Sequence, residues 1–354
     1  MKRIVLTGGG TAGHVTPNIA LLPHLIKAGY EVSYIGSYNG IEKNLMEGLN
    51  VTYYGISSGK LRRYFDVKNF TDPFRVIKGF SEAKKLIRKI QPDIVFSKGG
   101  FVSVPVVVAA HSCHVPVITH ESDMTPGLAN RIASRYASKV CCNFPETVSH
   151  IPGNKGILTG TPIRDELLTG DRHEGLSLCG WDCTKPVILI IGGSLGAQRV
   201  NDAVRAILPK LLPQFNIIHI CGKGKTDESL AGISGYRQFE YVNKELKDLF
   251  AAADIVISRA GANAICELLA MRKPNLLIPL SKEASRGDQI LNARSFERMG
   301  YSMVLEEHEI TDEVLFNAIL SLYDRRDSYV EAMKNNTVGD PIAAIMDLIK
   351  KNAQ

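Results

Sequence analysis

The sequence predicts an α/β fold of two Rossmann-like, parallel-sheet domains, and three observations support this prediction. Short apolar runs alternate with helix-length segments along the chain, which is typical of parallel sheets built from βαβ units. A turn-rich passage at residues 159–185 interrupts the alternation, and the same pattern then starts again. The two halves also open alike, because IVLTGGGTAG at residues 4–13 and ILIIGGSLGA at residues 188–197 both place glycines after an apolar run.

Chain length and composition agree with two domains. At 354 residues the chain exceeds one ordinary core. We expect a first domain at 1–160, a second at 161–340 and a C-terminal helix at 341–354 that packs back toward the first domain. No apolar run reaches the roughly 20 residues that cross a bilayer, and no signal segment is present, so we expect a cytoplasmic location. Seven cysteines without paired spacing predict reduced thiols rather than a disulfide framework or a zinc site.

A short apolar run between turn signals predicts each strand. In the first domain these runs are residues 2–6, 31–35, 51–54, 93–96, 115–119 and 139–142. In the second domain they are residues 187–191, 217–221, 254–257, 275–278 and 303–305.

The glycine turn in TGGGTAGHVTP, at residues 7–17, raises the question of which anion it binds. A glycine turn that leads into a helix presents backbone N–H groups to an anion, although tight turns also require glycine for packing alone. A dinucleotide site needs an acidic residue at the end of the second strand, where this sequence has Gly36 and Ser37. A P-loop needs G-K-[ST], but His14 follows Gly13. Both of these classes are therefore disfavoured.

A third turn, RAGANAICELL, follows the run at 255–258 and supplies an acidic residue. Gly261 makes the turn, Asn263 is expected at the helix N-cap, and Glu267 follows just inside the helix. The Glu267 carboxylate can accept hydrogen bonds from ribose hydroxyls while the N–H groups face a diphosphate. The alternative is that Glu267 only offsets the helix dipole. Weighed together, the three turns favour a nucleoside diphosphate in the second domain.

Positive charge is concentrated in the first domain, where residues 1–160 hold 19 Lys and Arg against 10 Asp and Glu. Residues 60–89 alone carry 10 basic and 3 acidic side chains among aromatic and aliphatic residues. This stretch is either an amphipathic helix with a solvated basic face or a surface that binds anionic lipid. No nucleic-acid motif accompanies the charge, so nucleic acid is not an expected partner. The membrane-binding candidates are Lys60, Arg62, Arg63, Lys68, Phe74 and Phe80.

Six motifs, taken in order, resemble the MurG family of glycosyltransferases. They are GGGTAGH, HESD at 120–123, TPIR at 161–164, GGSLGAQ at 192–198, RAGANAICE at 259–267 and SRGDQILNA at 285–293. The resemblance implies a GT-B fold whose two domains face a cleft. It also implies transfer of N-acetylglucosamine from UDP-N-acetylglucosamine to undecaprenyl-diphospho-muramoylpeptide (lipid I), which gives lipid II in peptidoglycan synthesis. The enzyme would then act at the cytoplasmic face of the membrane as a peripheral protein.

The resemblance also implies roles for particular residues. Thr11, Ala12 and Gly13 would line the cleft near the donor sugar and the acceptor diphosphate. Glu267 would bind the ribose and Gln289 the sugar hydroxyls, while Ser194 would lie near the diphosphate and the backbone of Val242 would meet the uracil. The full set of implied donor positions is Arg164, Ser194, Val242, Ala262, Asn263, Ala264, Ile265, Glu267 and Gln289. The sequence departs from the family where H-E-S-D replaces H-E-Q-N, which puts a sugar contact of Asp123 in doubt, and where Phe101 replaces a tyrosine.

Displacement at the anomeric carbon needs a base near the acceptor hydroxyl and positive potential around the leaving diphosphate. His14 is our first choice for the base, because it lies at the mouth of the first glycine turn and imidazole titrates near neutrality. Its alternative role is to cap the turn. Glu121 is the second choice for the base, with orientation of His14 or acceptor binding as its other possible roles. The sequence has no D-x-D motif, so no cofactor and no obligatory metal are expected; a divalent ion bound to the acceptor diphosphate stays open as an alternative.

Two other functions stay open. One is a different enzyme on the same fold, such as a UDP-N-acetylglucosamine 2-epimerase or a glycolipid glycosyltransferase. The other is a non-catalytic protein that binds lipid-linked precursors.

Overall fold

The computed structural model describes residues 1–59, 72–193, 197–282 and 287–353. The chain divides into two compact units: unit 1 contains residues 1–164 and 338–354, and unit 2 contains residues 165–337. Five of the residues singled out above lie outside the described residues, namely Lys60, Arg62, Arg63, Lys68 and Ser194.

In the described part of the chain, unit 1 is built on a seven-stranded parallel sheet with the order β3-β2-β1-β4-β5-β6-β7. The strands are β1 (Lys2–Thr7), β2 (Tyr30–Ser37), β3 (Thr52–Ile56), β4 (Ile94–Ser97), β5 (Val117–Glu121), β6 (Lys139–Cys142) and β7 (Gly156–Leu158). The helices between them are α1 (Thr16–Lys27), α2 (Ile41–Met46), α3 (Asp72–Ile90), α4 (Ser103–Ser112), α5 (Leu128–Tyr136) and α6 (Pro145–His150).

Unit 2 repeats this plan with a sheet of the order β10-β9-β8-β11-β12-β13 in the residues described. Its strands are β8 (Val187–Ile191), β9 (Asn216–Ile220), β10 (Tyr236–Phe239), β11 (Ile255–Ser258), β12 (Asn275–Leu277) and β13 (Met303–Val304). Its helices are α7 (Arg172–Cys179), α8 (Gln198–Ala206), α9 (Leu208–Leu211), α10 (Leu246–Ala252), α11 (Ala262–Ala270), α12 (Asp288–Arg298), α13 (Asp312–Asp324) and α14 (Arg326–Lys334).

The two faces of the unit 1 sheet bury alternate side chains of β1. Ile4 and Leu6 belong to one buried cluster, whereas Val5 belongs to the cluster on the opposite face, as the two-residue repeat of a strand requires. The helix α15 (Pro341–Asn352) adds Ile345 and Ile349, both fully buried, to the cluster of Ile4 and Leu6. The segment that follows unit 2 in the chain is therefore part of the unit 1 core.

The prediction of two parallel-sheet domains is confirmed, and each predicted strand is present within a residue or two. The structure adds β7 and β10, two short strands that the apolar pattern did not show. Among the described residues, no helix is long and apolar enough to cross a membrane.

Candidate active site

The strand order reverses at one point in each sheet, between β1 and β4 in unit 1 and between β8 and β11 in unit 2. In open α/β sheets, ligands bind beyond the carboxyl ends of the strands at such a reversal. The first glycine turn follows β1, and the turn at Gly192 and Gly193 follows β8. Both glycine turns therefore lie at the position where a ligand is expected.

In unit 1, the loops after β1, β4 and β5 are neighbours because these strands pair in that order. The β4 loop touches the first glycine turn so closely that a Cβ at Gly100 would collide with the carbonyl oxygen of Gly9. On its other side, a Cβ at Gly99 would lie 2.6 Å from Oδ1 of Asn130, a residue that also binds Glu121. The loops that carry His14 and Glu121 are thus linked through the β4 loop.

The first glycine turn leads into a single 3-10 turn, Ala12–His14. Gly10 has φ +85°, a conformation that favours glycine. Nδ1 of His14 lies 2.9 Å from Oγ1 of Thr11, so the imidazole ring is held by a neighbour in the same turn. Thr11 and Gly13 are exposed and His14 is half-buried, which leaves this short segment accessible to a substrate.

Glu121 is buried at the end of β5 and accepts three hydrogen bonds. Its Oε1 accepts the N–H of Asp123 at 3.0 Å, and its Oε2 accepts the N–H of Gly127 and Nδ2 of Asn130, each also at 3.0 Å. Burial, reinforced by the charge of Asp123, raises the pKa of the Glu121 carboxyl to about 7. The carboxylate therefore holds the loop between β5 and α5. A pKa near neutrality also suits proton transfer.

Lys98, His120 and Ser122 form a polar cluster next to Glu121. Nζ of Lys98 contacts Oγ of Ser122 and lies 2.9 Å from Nδ1 of His120, whose Nε2 lies 2.9 Å from the carbonyl oxygen of Gly160. Because a carbonyl only accepts, Nε2 carries the proton and Nδ1 accepts from Lys98. Burial, together with the Lys98 charge, lowers the pKa of His120 well below its ordinary value, so this imidazole is neutral.

In unit 2, the turn after β11 presents the start of α11. Its N-cap is Gly261, with φ −65° and ψ 135°, and the helix begins at Ala262. The expectation of Asn263 at the N-cap is therefore wrong, because the extended backbone ends two residues earlier. Ala262 and Ile265 are buried, whereas Asn263, Ala264 and Glu267 are half-buried. The sequence placed Glu267 just inside the helix, and it is the sixth residue of α11.

Gln289, near the start of α12, accepts the backbone N–H of Leu280 through Oε1 at 3.1 Å. The loop after β12 is also held by Arg259, which donates to the carbonyl oxygens of Ile278 at 3.0 Å and Pro279 at 3.3 Å. Arg259 in turn pairs with the buried carboxylate of Glu307. The loop after β12 is thus bound both by Arg259, in the turn before α11, and by Gln289 of α12, so the starts of these two helices are held at a fixed spacing.

Four other residues that the sequence analysis singled out lie away from the turns described above. Val242 is buried just after β10, on the other side of the strand reversal from α11. Arg164 is half-buried at the end of the first segment of unit 1. Phe74 lies in α3. Phe80 is half-buried against the core of unit 1, with Nζ of Lys84 lying 5.7 Å from its ring centre.

Sequence reasoning missed two charged residues of unit 1, Glu42 and Lys98, both with an exposed fraction of 0 %. Glu42 is the first acidic residue after β2 and lies five positions beyond Ser37, the last residue of that strand. Within the described ranges, no group of three or more His, Cys, Asp or Glu side chains is arranged to hold a metal ion.

Two parallel-sheet units, each with a glycine turn at its strand reversal, are the architecture of the GT-B fold. Residues 4–142 match the glycosyltransferase family 28 N-terminal domain and residues 187–349 match the glycosyltransferase family 28 C-terminal domain. The chain belongs to glycosyltransferase family 28.

Relatives and solved structures agree with this assignment. The chain is 64 % identical over 354 residues, 100 % of both chains, to a protein of Lachnospira eligens named UDP-N-acetylglucosamine--N-acetylmuramyl-(pentapeptide) pyrophosphoryl-undecaprenol N-acetylglucosamine transferase. It is 61 % identical to the protein of that name from Lachnoclostridium phytofermentans, with 99 % of each chain covered. The crystal structure of Acinetobacter baumannii MurG matches 99 % of this chain and 100 % of its own, with TM-score 0.78 and 25 % identity.

Proposed function

We propose that this chain transfers N-acetylglucosamine from UDP-N-acetylglucosamine to undecaprenyl-diphospho-muramoylpeptide, lipid I, to give lipid II. The observation that carries the proposal is identity of 64 % along the whole chain to a transferase named for this donor sugar and this acceptor. The UDP-GlcNAc 2-epimerase of Methanocaldococcus jannaschii has the same fold, with TM-score 0.65, but only 13 % identity. The transferase is therefore favoured over the epimerase.

The reaction forms a bond from the acceptor hydroxyl oxygen to the anomeric carbon and breaks the bond from that carbon to the diphosphate, with inversion. His14 takes the hydroxyl proton and UDP leaves. The accessibility of the 3-10 turn supports His14 as the base, since Thr11 and Gly13 beside it are exposed and its half-buried ring is held by Thr11. Glu121, with both carboxylate oxygens bound by the loop that follows it, is better suited to positioning that loop.

The donor would bind in unit 2, with its diphosphate near the N-terminus of α11 and its ribose near Glu267. Helix N-terminal N–H groups stabilise the charge that develops on the leaving diphosphate. Gln289 would read the sugar hydroxyls through its amide nitrogen, since its Oε1 is already bound to Leu280. Thr11, Ala12, Gly13 and Asp123 of unit 1, together with Arg164, Ser194 and Val242, complete the proposed substrate contacts.

The acceptor is anchored in lipid, so the enzyme would bind the anionic cytoplasmic face of the membrane through unit 1. Arg75, Ile77 and Lys78 are exposed on the described part of α3, and the exposed fraction of Ile77 is 66 %. Exposed basic and aliphatic side chains on one helix support interfacial binding.

UDP release tests the proposal, measured after donor is mixed with or without lipid I. We expect steady release that requires lipid I. Conversion of the donor to its 2-epimer without net UDP release would favour the epimerase, and an unchanged donor with no UDP release would favour a binding protein.

A further inference from the structure

A buried carboxylate lies directly beneath the first glycine turn. Glu42, the second residue of α2, accepts the N–H of Gly10 through Oε2 at 3.2 Å. Its Oε1 accepts both donors of Ser37, the backbone N–H at 2.9 Å and the hydroxyl at 2.5 Å. A carboxylate has lone pairs for all three, and hydrogen bonds to a charged acceptor are the stronger kind. Glu42 therefore ties the end of β2 to the turn that follows β1.

The packing around this carboxylate is close. A Cβ at Gly9 would come within 2.5 Å of Cδ of Glu42, so only glycine fits there without displacing the carboxylate. Two further side chains hold the turn just before it. The Tyr34 hydroxyl donates to the carbonyl oxygen of Gly8 at 2.9 Å, and Nδ2 of Asn18 donates to that of Thr7 at 3.2 Å. The backbone is thus fixed on both sides of the turn.

This arrangement changes what the first glycine turn can bind. The N–H of Gly10 points at a carboxylate, so it is not available to a phosphate. The same turn continues directly into the 3-10 turn Ala12–His14, in which the N–H of His14 donates to the carbonyl oxygen of Thr11 at 3.1 Å. The N–H of Gly10 therefore supports the backbone that carries this short segment and does not itself bind a ligand.

We propose that Glu42 is a positioning residue: through Gly10 it holds the first glycine turn so that His14 meets the acceptor hydroxyl in reactive geometry. The inference rests on the proposed function, in which His14 is the base. A displacement of about 1 Å at a reacting group can cost on the order of 100-fold in rate, so one backbone hydrogen bond is enough to matter.

Glu42→Gln tests the inference because it keeps the shape and replaces one acceptor by a donor. The amide oxygen will satisfy the two donors of Ser37, which leaves the amide nitrogen facing the N–H of Gly10 and releases the turn. We expect kcat on a soluble acceptor to fall roughly tenfold to 100-fold. The KM for UDP-N-acetylglucosamine should stay unchanged. The stoichiometry of UDP binding, measured by titration calorimetry, should equal that of the wild type, which would show that the variant is folded. If this variant does not fold, Glu42→Asp, whose shorter side chain withdraws from Gly10, is measured in its place.

Glu82→Gln is the matched control. Glu82 accepts the N–H of Ser57 through Oε2 at 2.6 Å and the Ser57 hydroxyl through Oε1 at 3.4 Å. Like Glu42 it binds both donors of one serine, but one strand further from β1. We expect its kcat on the soluble acceptor, an assay that does not depend on membrane binding, to match that of the wild type. An equal loss in both variants would show a general effect of loosening unit 1 and would overturn the inference.

A double-variant cycle separates this inference from the base assignment. If Glu42 acts through His14, then Glu42→Gln will cause no further loss of kcat in a His14→Ala background. Losses that multiply would overturn the role of Glu42 and leave His14 as the base. If His14→Ala alone retains the wild-type kcat, the base assignment fails first, and a role for Glu42 through His14 fails with it. A wild-type kcat for Glu42→Gln would overturn the inference alone.

Discussion

Glu267 projects from the second turn of α11, and its carboxylate is the group that we expect to bind the ribose of the donor. Glu267→Ala should weaken UDP-N-acetylglucosamine binding by roughly 1.5 to 3 kcal/mol, about tenfold to a hundredfold, because hydrogen bonds to a charged group are lost. Titration calorimetry measures the change. Glu313→Ala, at an exposed position of α13, should leave the affinity as it is. Equal affinities for the two variants would contradict the assignment.

The raised pKa of Glu121 gives a pH dependence of stability. The ordinary pKa of a glutamate carboxyl is 4.5, and in the folded protein that of Glu121 is about 7. Since the folded value is the higher one, the stability contributed by the protonated carboxyl is present below the unfolded pKa and is lost as the pH rises through the folded pKa. Glu121→Gln mimics the neutral carboxyl. The Tm of this variant minus the Tm of the wild type should therefore increase as the pH is raised from about 5 to 8. A Tm difference that is constant over this range would contradict the prediction.

How much of the site is visible in the sequence differs between these residues. His14, Glu121 and Glu267 stand beside or soon after predicted strands, and strand ends locate a site in any parallel sheet. Some of the groups that support the site come from other elements of the fold. Asn130 reaches Glu121 from α5, and Glu42 reaches Gly10 from 32 positions away. Such contacts depend on how helices pack on the sheet, which local patterns do not specify.

Some strands can also be predicted from the local sequence, whereas others depend on contacts with the rest of the sheet. The apolar pattern predicted β4, whose residues Ile94–Ser97 are all buried, because a buried parallel strand is apolar on both faces. It missed β7 and β10, which have three and four residues and lie at sheet edges. Gly156–Leu158 is half-buried throughout, and so short a run carries no period. Pairing with a neighbouring strand, rather than local sequence, makes these segments extended.

The helix α15 begins at a capping aspartate, and this cap gives a prediction about stability. Oδ1 of Asp340 accepts the N–H of Ile342 at 2.9 Å and that of Ala343 at 3.2 Å. Asp340→Ala should lower the free energy of unfolding by about 1 kcal/mol, the usual contribution of an N-cap. Urea unfolding measures it. Asp347→Ala removes only an exposed pair with Lys351 and should change the stability by less.

The uneven charge of the whole chain predicts how it binds membranes. Reversal of Lys60, Arg62, Arg63 and Lys68 to glutamate should release the protein from anionic vesicles, since each basic residue near such a surface contributes about 1 kcal/mol. Turnover on lipid I in vesicles should fall, whereas turnover on a short-chain soluble acceptor should not. Binding should also weaken with salt, because the attraction is screened within roughly 8 Å at physiological ionic strength.

A second reversal variant serves as the control for the sedimentation assay. It changes four exposed basic residues of unit 2, namely Lys210, Arg237, Arg298 and Lys334. We expect this control to sediment with vesicles as the wild type does. If the unit 1 variant sediments equally well, residues 60–89 are an ordinary solvated surface.

The place of α15 in the core of unit 1 bears on the order in which the chain folds during synthesis. The ribosome delivers residues 1–164 first, but Ile345 and Ile349 pack beside β1 only after all of unit 2 has been made. Unit 2 is continuous in sequence, so it can fold as soon as it emerges, while unit 1 must wait with an apolar face uncovered. A nascent chain of this protein will therefore depend on chaperones most strongly through its first half, which emerges earliest and is completed last.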